Sequence, residues 1–355
     1  MKKINKKAIM AISGGVDSSV AAALLKKTGV ELTGVFMKLA DLPKFRESEK
    51  RAKKIAKILK IPFLVLDLRK EFKKRIIDYF LDGYRKGVTP NPCVVCNKEI
   101  KFGLLLKKAL ALDADFIATG HYARKQKIEN RKQKIEYKLL KAKDKNKDQS
   151  YFLWMLNQEK LRRILFPIGD YTRKDVENLA RKFKLPVLRA AKSVEICFIK
   201  TTINDFLSKY LKSKPGPVVE QVHYGVNKII GRHLGLWFYT IGQRKGIGLP
   251  GGPYFVLDKN LKKNLLIVTK NEKDLYKKEL LAKNVNWISG KMLKLPLKVR
   301  VKIRYLHKAA TATMVKIQNS KFYILKFDKP QRAITPGQSV VFYRGEELLG
   351  GGIIC

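Results

Sequence analysis

Cysteine is scarce in this chain, with four residues in 355, at positions 93, 96, 197 and 355. So few, so irregularly spaced, do not make the disulfide framework of a small secreted domain. No stretch approaches the roughly 20 apolar residues that a membrane span needs. Acidic residues are also few: 30 Asp plus Glu stand against 76 Lys plus Arg, a formal net charge of +46. A charge of that size repels itself in a compact fold and argues for a polyanionic partner. The blander reading is general lysine enrichment, since Lys dominates over Arg. The N-terminal MKKINKKAIMAISGG is basic and then apolar, as in a signal peptide. Its apolar run is short, however, and ends in Gly-Gly-Val-Asp rather than a small-residue cleavage site. These absences place the protein in the cytoplasm, with reduced thiols and no membrane association.

What is present is a regular alternation over the first 200 residues. KKAIMAIS, ELTGVFMKL, IPFLVLDL and DFIATGH read as buried strands. SSVAAALLKKTG, ESEKRAKKIAKILK and KFGLLLKKALALD read as the helices between them. Such alternation predicts an α/β fold, a doubly wound parallel sheet over residues 1–204. Ligands in such sheets bind beyond the carboxyl ends of the strands, where SGGVDSS and TGHYAR then lie. The polar stretch at 125–150 contains the alternating KIEYKLL, read as a hairpin making a surface excursion. Thr172 reads as the N-cap of a helix ended by Pro186. Residues 205–276, rich in Gly and aromatics, read as a small β-rich middle domain. From 277 to 355, LKVRVKIRYL, TATMVKIQ, KFYILKFD and QSVVFY keep a period of two, which predicts a C-terminal antiparallel β-barrel.

The string Ser13-Gly14-Gly15-Val16-Asp17-Ser18-Ser19 falls between a strand and a helix. Glycine permits the turn and a close ligand approach, and the helix start offers N–H groups and a positive dipole to phosphate. Ser13, Ser18 and Ser19 add candidate hydroxyl donors, and Asp17 acts most readily through Mg²⁺. Without G-K-[ST] it is not a Walker loop. The string resembles the pyrophosphate (PP) loop of the ATP-pyrophosphatase superfamily, whose members cleave ATP between the α and β phosphates.

The cysteines leave more room. Cys93 and Cys96 sit in NPCVVCNKEIKFG, in a loop at a helix start, and Cys197 in KSVEICFI. Lys98, Lys101 and the helix N-terminus favour a thiolate there. Three thiols with His121 as a fourth ligand would make a structural zinc site, and inert thiols are the remaining reading. Cys355 is read as incidental.

Together SGGVDSS, TPNPCVVCNKEIKFG, ATGHYAR, KDQSYFLW, FPIGDYTRKDVENLA, EICFI, FYTIGQRKG and PQRAITPGQSVVFY resemble the tRNA-specific 2-thiouridylases, in order and nearly end to end. That resemblance implies ATP on Ala11, Ile12, Ser13, Gly14, Gly15, Val16, Asp17 and Ser18, with Met37 and Gly120 touching the nucleotide. It implies Cys96 and Cys197 as catalytic thiols, Cys197 carrying persulfide sulfur, and Asn91, Pro92 and Cys93 meeting the target base. It implies tRNA contacts at His121, Lys147, Asp148, Gln149, Ser150, Arg304, Tyr305 and Gln338. Arg304 and Tyr305 are read on an alternating strand. The implied partners are tRNA and a persulfide sulfur donor, with ATP and Mg²⁺ as cofactors and a chain that is monomeric when free.

Cys93 stays open, because some members of that family carry Asp there. Cys93, Cys96 and Cys197 could together ligate a [4Fe–4S] cluster, leaving one iron for sulfide. The alternative is persulfide chemistry with Cys93 a third thiol beside the pair. Two departures stand out: only ADLPKF separates the second strand from its helix, and Val194 stands where Gln is frequent. Rival readings are other PP-loop enzymes, of amidotransferase, argininosuccinate synthase or tRNA cytidine 2-thiolase type, or a non-catalytic RNA-binding module. The paired loop cysteines, the middle domain and the intact phosphate loop argue against each.

Overall fold

The computed structural model describes residues 6–129, 135–186, 196–222 and 228–355, so the departure at Val194 lies outside the described residues. The first region contributes β1 (Lys7–Ala11), β2 (Glu31–Lys38), β3 (Phe63–Asp67) and β4 (Phe116–Ala118). A hairpin of β5 (Ala123–Glu129) and β6 (Ile135–Lys141) follows, and then the short β7 (Ile164–Leu165). A parallel sheet runs in the order β3-β2-β1-β4-β7. Strand order reverses between β1 and β4, so the crevice for a ligand opens above those two carboxyl ends.

β1 is KAIMA, buried at every position after Lys7, as a central strand covered on both faces must be. α1 (Val16–Lys27) buries a face of small residues, Ala21, Ala22 and Ala23, which lets it lie close on the sheet. It ends at Thr28, with Gly29 in the left-handed region at φ +79°. α2 (Pro43–Ile58) starts on a proline at its first turn and buries Ala52, Ile55 and Ala56 while its lysines face outward. Of ADLPKF, only Ala40, Asp41 and Leu42 precede the helix, since Pro43, Lys44 and Phe45 form its first turn. Asp41, within that connection, pairs with Arg69 beyond β3.

The segment after Asn91 is one continuous helical rod with a change of pitch. Pro92–Cys96 is α-helical, Asn97–Leu104 is π-helical, and Leu105–Leu110 is α-helical again. Ile100, Phe102 and Leu105 of this rod are fully buried. Thr172 caps Arg173–Lys182 in a capping box with Asp175, as its sequence predicts.

The middle region forms β8 (Gly216–Glu220), β9 (Lys228–His233), β10 (Phe255–Asn260) and β11 (Leu265–Thr269), ordered β10-β11-β8-β9. Its own core includes Val218, Leu236, Val256, Leu266 and Val268. The C-terminal region forms β12 (Tyr276–Trp287), β13 (Leu297–Lys302), β14 (Ala310–Lys316), β15 (Tyr323–Arg332), β16 (Ser339–Arg344) and β17 (Glu347–Ile354). They run β12-β15-β14-β13-β16-β17, and the β12–β17 pairing closes a six-stranded antiparallel barrel.

The 123–141 hairpin is not the loose surface excursion that its polarity predicts. β6 pairs with β17, Leu140 opposite Glu347 and Leu139 opposite Leu348, so the hairpin extends the barrel sheet. A segment further on docks as well: Tyr151 Oη donates to the Ser339 carbonyl at 2.9 Å and Trp154 Nε1 to Ser339 Oγ at 3.0 Å. Tyr151, Trp154, Val341, Tyr343 and Leu348 share one core with Ile9 and Val35 of the parallel sheet. First region and barrel are thus packed as one body. No helix of the described residues is long and apolar enough to cross a membrane.

Candidate active site

The phosphate loop is braced from within. Ser13 N–H donates to Ser18 Oγ at 3.1 Å, and the two hydroxyls lie 3.1 Å apart. Ser19 Oγ donates to the Gly15 carbonyl at 2.7 Å and is fully buried, so this hydroxyl is a brace rather than the ligand donor expected of it. Gly14 has φ +76°, and a Cβ there would lie 2.4 Å from the Ser48 carbonyl oxygen of α2, so only glycine fits. The first N–H groups of α1 have no acceptor within the helix and face the crevice end of the sheet. Such a loop suits an anion.

Two arginines that the sequence does not single out are tied to this loop. Arg51 of α2 donates from Nε to the Gly14 carbonyl at 3.2 Å and from Nη2 to Ser48 Oγ at 2.9 Å. α2 is therefore more than a solvated lysine face. Arg173 Nη1 donates to Asp17 Oδ1 at 2.7 Å, and Tyr122 Oη donates to the same oxygen at 2.8 Å. Met37, at the end of β2, packs half-buried between two core clusters. Gly120 follows β4, and a Cβ on it would come within 2.6 Å of Ser18 N. That contact puts Gly120 against the first turn of α1 and His121 one residue beyond.

His121 is buried, in ring contact with Phe102 and Phe166. Its Nδ1 lies 2.8 Å from Thr119 Oγ1 and its Nε2 3.4 Å from Lys101 Nζ. An ammonium only donates, so Nε2 accepts and Nδ1 carries the hydrogen. Burial first, and then the Lys101 charge, hold this imidazole well below the usual histidine range, so it is neutral.

Lys101 connects the histidine to the sulfur atoms. Its charge bears on Cys93, Cys96 and Cys197 alike, and the Cys96 thiol also feels Cys197 and Cys93. Asn91 Oδ1 caps the helix that carries Cys93 and Cys96, accepting from Val94 N–H at 3.3 Å. Cys93 is half-buried on the first turn and Cys96 buried on the last. Burial pushes the Cys96 thiol up to about 12, against the opposing pull of Lys101. Cys197 is exposed as a residue, yet loss of water around its sulfur still pushes it up to about 11.

The expected resting thiolate is therefore corrected: desolvation outweighs the lysines. Lys98 contributes nothing there, since it is exposed and 3.6 Å from Glu99 Oε1. Among the described residues no three His, Cys, Asp or Glu side chains group closely enough to hold a metal ion. The three thiols do not fit a [4Fe–4S] cluster as they stand, nor with His121 a zinc site.

All three regions meet just before these cysteines. Thr89 N–H donates to the Pro336 carbonyl at 2.9 Å, and Gln338 Nε2 donates to the Thr89 carbonyl at 2.9 Å. Thr89 Oγ1 lies 3.4 Å from Thr240 Oγ1 of the middle region. Asn91, Pro92 and Cys93 are thereby held by barrel and middle domain together.

Several expected tRNA contacts are interior. Asp148 and Ser150 are buried: Asp148 Oδ1 accepts from Ala142 and Ser150 N–H, and Ser150 Oγ donates to Asp148 Oδ2. Gln149 exchanges hydrogen bonds with the Tyr122 backbone at 2.8 and 3.0 Å, which sets the chain beside His121. Lys147 alone of that group is exposed. Arg304 and Tyr305 lie in the bend after β13, not on a strand, and Tyr305 stacks on Phe152 with ring centroids 4.5 Å apart. Cys355 Sγ, at the far end of β17, takes no part.

Three family models cover the chain. Residues 6–201 match "tRNA methyl transferase HUP domain", residues 204–270 "tRNA methyl transferase PRC-barrel domain" and residues 277–354 "Aminomethyltransferase beta-barrel domain". A tRNA-specific 2-thiouridylase MnmA of Clostridioides difficile is 45% identical over 363 residues, spanning 99% of this chain and 98% of that protein. The chain belongs to the tRNA-specific 2-thiouridylase family. A second relative, the MnmA 2 of Thermoanaerobacter sp., is 45% identical across 99% of this chain and 98% of its own length. Among solved structures, the U34-tRNA thiolase NcsA from Methanococcus maripaludis with its [4Fe-4S] cluster aligns at 18% identity and a TM-score of 0.37. It covers 58% of this chain and 64% of that one, too slight a likeness to argue from. In this chain the HUP domain carries both the loop at 13–19 and the helix of Cys93 and Cys96.

Proposed function

We propose that this protein is a tRNA 2-thiouridylase that replaces the 2-oxygen of uridine-34, the wobble base, with sulfur. It acts in the cytoplasm, as a monomer when free. One observation carries the reading. A run of contacts leads from the phosphate loop through Gly120 and His121 to Lys101, whose charge acts on Cys93, Cys96 and Cys197. An ATP-type site and a sulfur site are the two halves this reaction needs.

A carbonyl oxygen is a poor leaving group until it is esterified. The loop from Ala11 to Ser18 holds ATP so that O2 of the base attacks the α-phosphorus and expels pyrophosphate, the N3 proton passing to water. Mg²⁺ bound with ATP would offset phosphate charge, and Asp17 Oδ2 is the carboxylate oxygen free to hold it. The base leaves its stack to reach the crevice, at a cost of about a few kcal/mol. Asn91, Pro92 and Cys93 are placed to meet it.

Sulfur arrives from a persulfide donor, which leaves Cys197 as a persulfide. Its terminal sulfur attacks C2, a C–S bond forms, and AMP departs with the old oxygen. Cys96 then attacks Sγ of Cys197. The bond from Sγ to the transferred sulfur breaks, a Cys96–Cys197 disulfide forms, and the proton lost by Cys96 returns through water to N3. A thiol reductant restores the pair. Holding the reacting sulfur at bonding distance is what the fold supplies.

The high resting pKa of both thiols suits this order, since neither reacts idly before sulfur and base are in place. The net charge of +46 and the exposed Lys147 suit a tRNA partner. The test is unmodified tRNA with ATP and a persulfide donor, digested to nucleosides. 2-Thiouridine at position 34, dependent on ATP, is the expected result, and its absence overturns the reading.

A further inference from the structure

Lys101 is a half-buried cation without a carboxylate. Among the described residues no Asp or Glu lies within ion-pair distance of its Nζ, and its one hydrogen-bond partner is the neutral His121. A buried charge left without a counter-ion is costly, and a fold keeps one where an anion comes and goes. The surroundings show which anion. Its charge acts on Cys93, Cys96 and Cys197, while Glu99, two residues before it, pairs with Arg75 and Lys98, and Asn97 points its amide to the Phe152 carbonyl.

The change of pitch puts Lys101 there. It follows Cys96 by five residues, and in an α-helix, at 3.6 residues per turn, it would be turned about 140° away from the cysteine face. Asn97–Leu104 is π-helical, so its backbone bonds run to the fifth residue and Lys101 comes round close to Cys96. π-Helical turns tend to occur at functional sites, and here the turn sets the register of one side chain. His121, itself bonded to Thr119, meets the ammonium from the other side. The Thr119 hydroxyl fixes the Nδ1–H tautomer, and that leaves Nε2 with its lone pair toward Nζ.

We propose that Lys101 is the positioning cation of the sulfur half-reaction, a fixed positive charge that stabilises the persulfide anion on Cys197 and the thiolate formed at Cys96. The role is electrostatic: Lys101 neither gives nor takes a proton, and the proton of Cys96 goes to water. The inference deepens the thiolation reading and rests on it for the identity of the anions.

The test separates sulfur transfer from adenylation. Lys101→Gln, Lys101→Met and Lys101→Arg are compared with wild type for 2-thiouridine formation, for pyrophosphate release, and for the rate at which iodoacetamide alkylates Cys96 and Cys197 without tRNA. With Gln or Met, thiolation falls about a hundredfold while pyrophosphate release stays within about threefold. Alkylation at fixed pH slows about tenfold, as one unit of thiol pKa requires. Arg restores most of both. Unchanged alkylation and thiolation in Lys101→Met overturn the proposal. So does an equal loss of pyrophosphate release and thiolation, which assigns the charge to the nucleotide. If wild type thiolates no tRNA, the functional reading fails by itself, and the alkylation arm still decides whether Lys101 serves the thiols.

Discussion

The phosphate loop and the sulfur site are built in opposite ways. The loop's inner braces lie within seven consecutive residues, with Ser13, Gly15, Ser18 and Ser19 bonding to one another, while Arg51, Tyr122 and Arg173 tie it from outside. The sulfur site draws on separated segments: 91–101, 119–121 and 197, with Thr240, Pro336 and Gln338 pinning Thr89 beside them. A local motif keeps its shape wherever the chain provides a strand and a helix. A site assembled across three domains has a shape only when all three are in place. Damage to the loop should therefore stop ATP chemistry, and damage to the sulfur site should stop thiolation alone.

The sharpest separation comes from the thiols. Cys96→Ser and Cys197→Ser should each lower 2-thiouridine formation by about a thousandfold or more, with pyrophosphate release retained. Gly14→Ala attacks the other half. It forces a side chain into the left-handed region, at about 1–3 kcal/mol, and drives a Cβ into the Ser48 carbonyl. Pyrophosphate release should fall about a hundredfold, and thiolation with it.

His121 is the next lever, and it is read in stability. Its folded-state pKa lies well below the value of about 6.5 expected when unfolded. Above pH 6.5 both states leave it neutral and its contribution is intact. As pH falls below 6.5, only the unfolded state takes up the proton, so stability should fall by about 1.4 kcal/mol per pH unit until the folded pKa is reached. Urea titrations across that window check the slope, and His121→Asn should remove that part of it.

Smaller effects belong to the domain junction. Gln338→Ala removes one hydrogen bond to the Thr89 carbonyl, worth about 1 kcal/mol, and should slow thiolation and pyrophosphate release together, about fivefold, because the segment that meets the base loosens. Cys93→Ala should be milder still, within about threefold, because the proposed reaction runs on Cys96 and Cys197. A Cys93→Ala loss as deep as that of Cys96→Ser would bring back a three-thiolate mechanism.

The same contrast explains what was legible in the sequence. The loop, α1 with Gly29, the Thr172 cap and the period-two barrel strands depend on near neighbours, so residue patterns reveal them. The 123–141 hairpin was legible as a hairpin, but its pairing with β17 spans some 200 residues that no local pattern connects. Lys101 was legible as a charge near the thiols, but its register was not. On α-helical spacing it belongs to another face from Cys96, and only the π-helical turn brings it round. The state of the thiols was misjudged because nearby lysines are visible in sequence and burial is not. The resemblance implies tRNA contacts at Asp148 and Ser150, yet their side chains satisfy each other inside the fold.

The most direct test of the account is a single-turnover experiment on wild type, with unmodified tRNA, ATP and a persulfide donor. It follows pyrophosphate and 2-thiouridine in the same quenched samples, beside Cys96→Ser and Gly14→Ala. The account predicts one pyrophosphate for each thiouridine in wild type, pyrophosphate without thiouridine in Cys96→Ser, and neither in Gly14→Ala. Pyrophosphate release that disappears with Cys96 would contradict it, because the two halves would not then be separable.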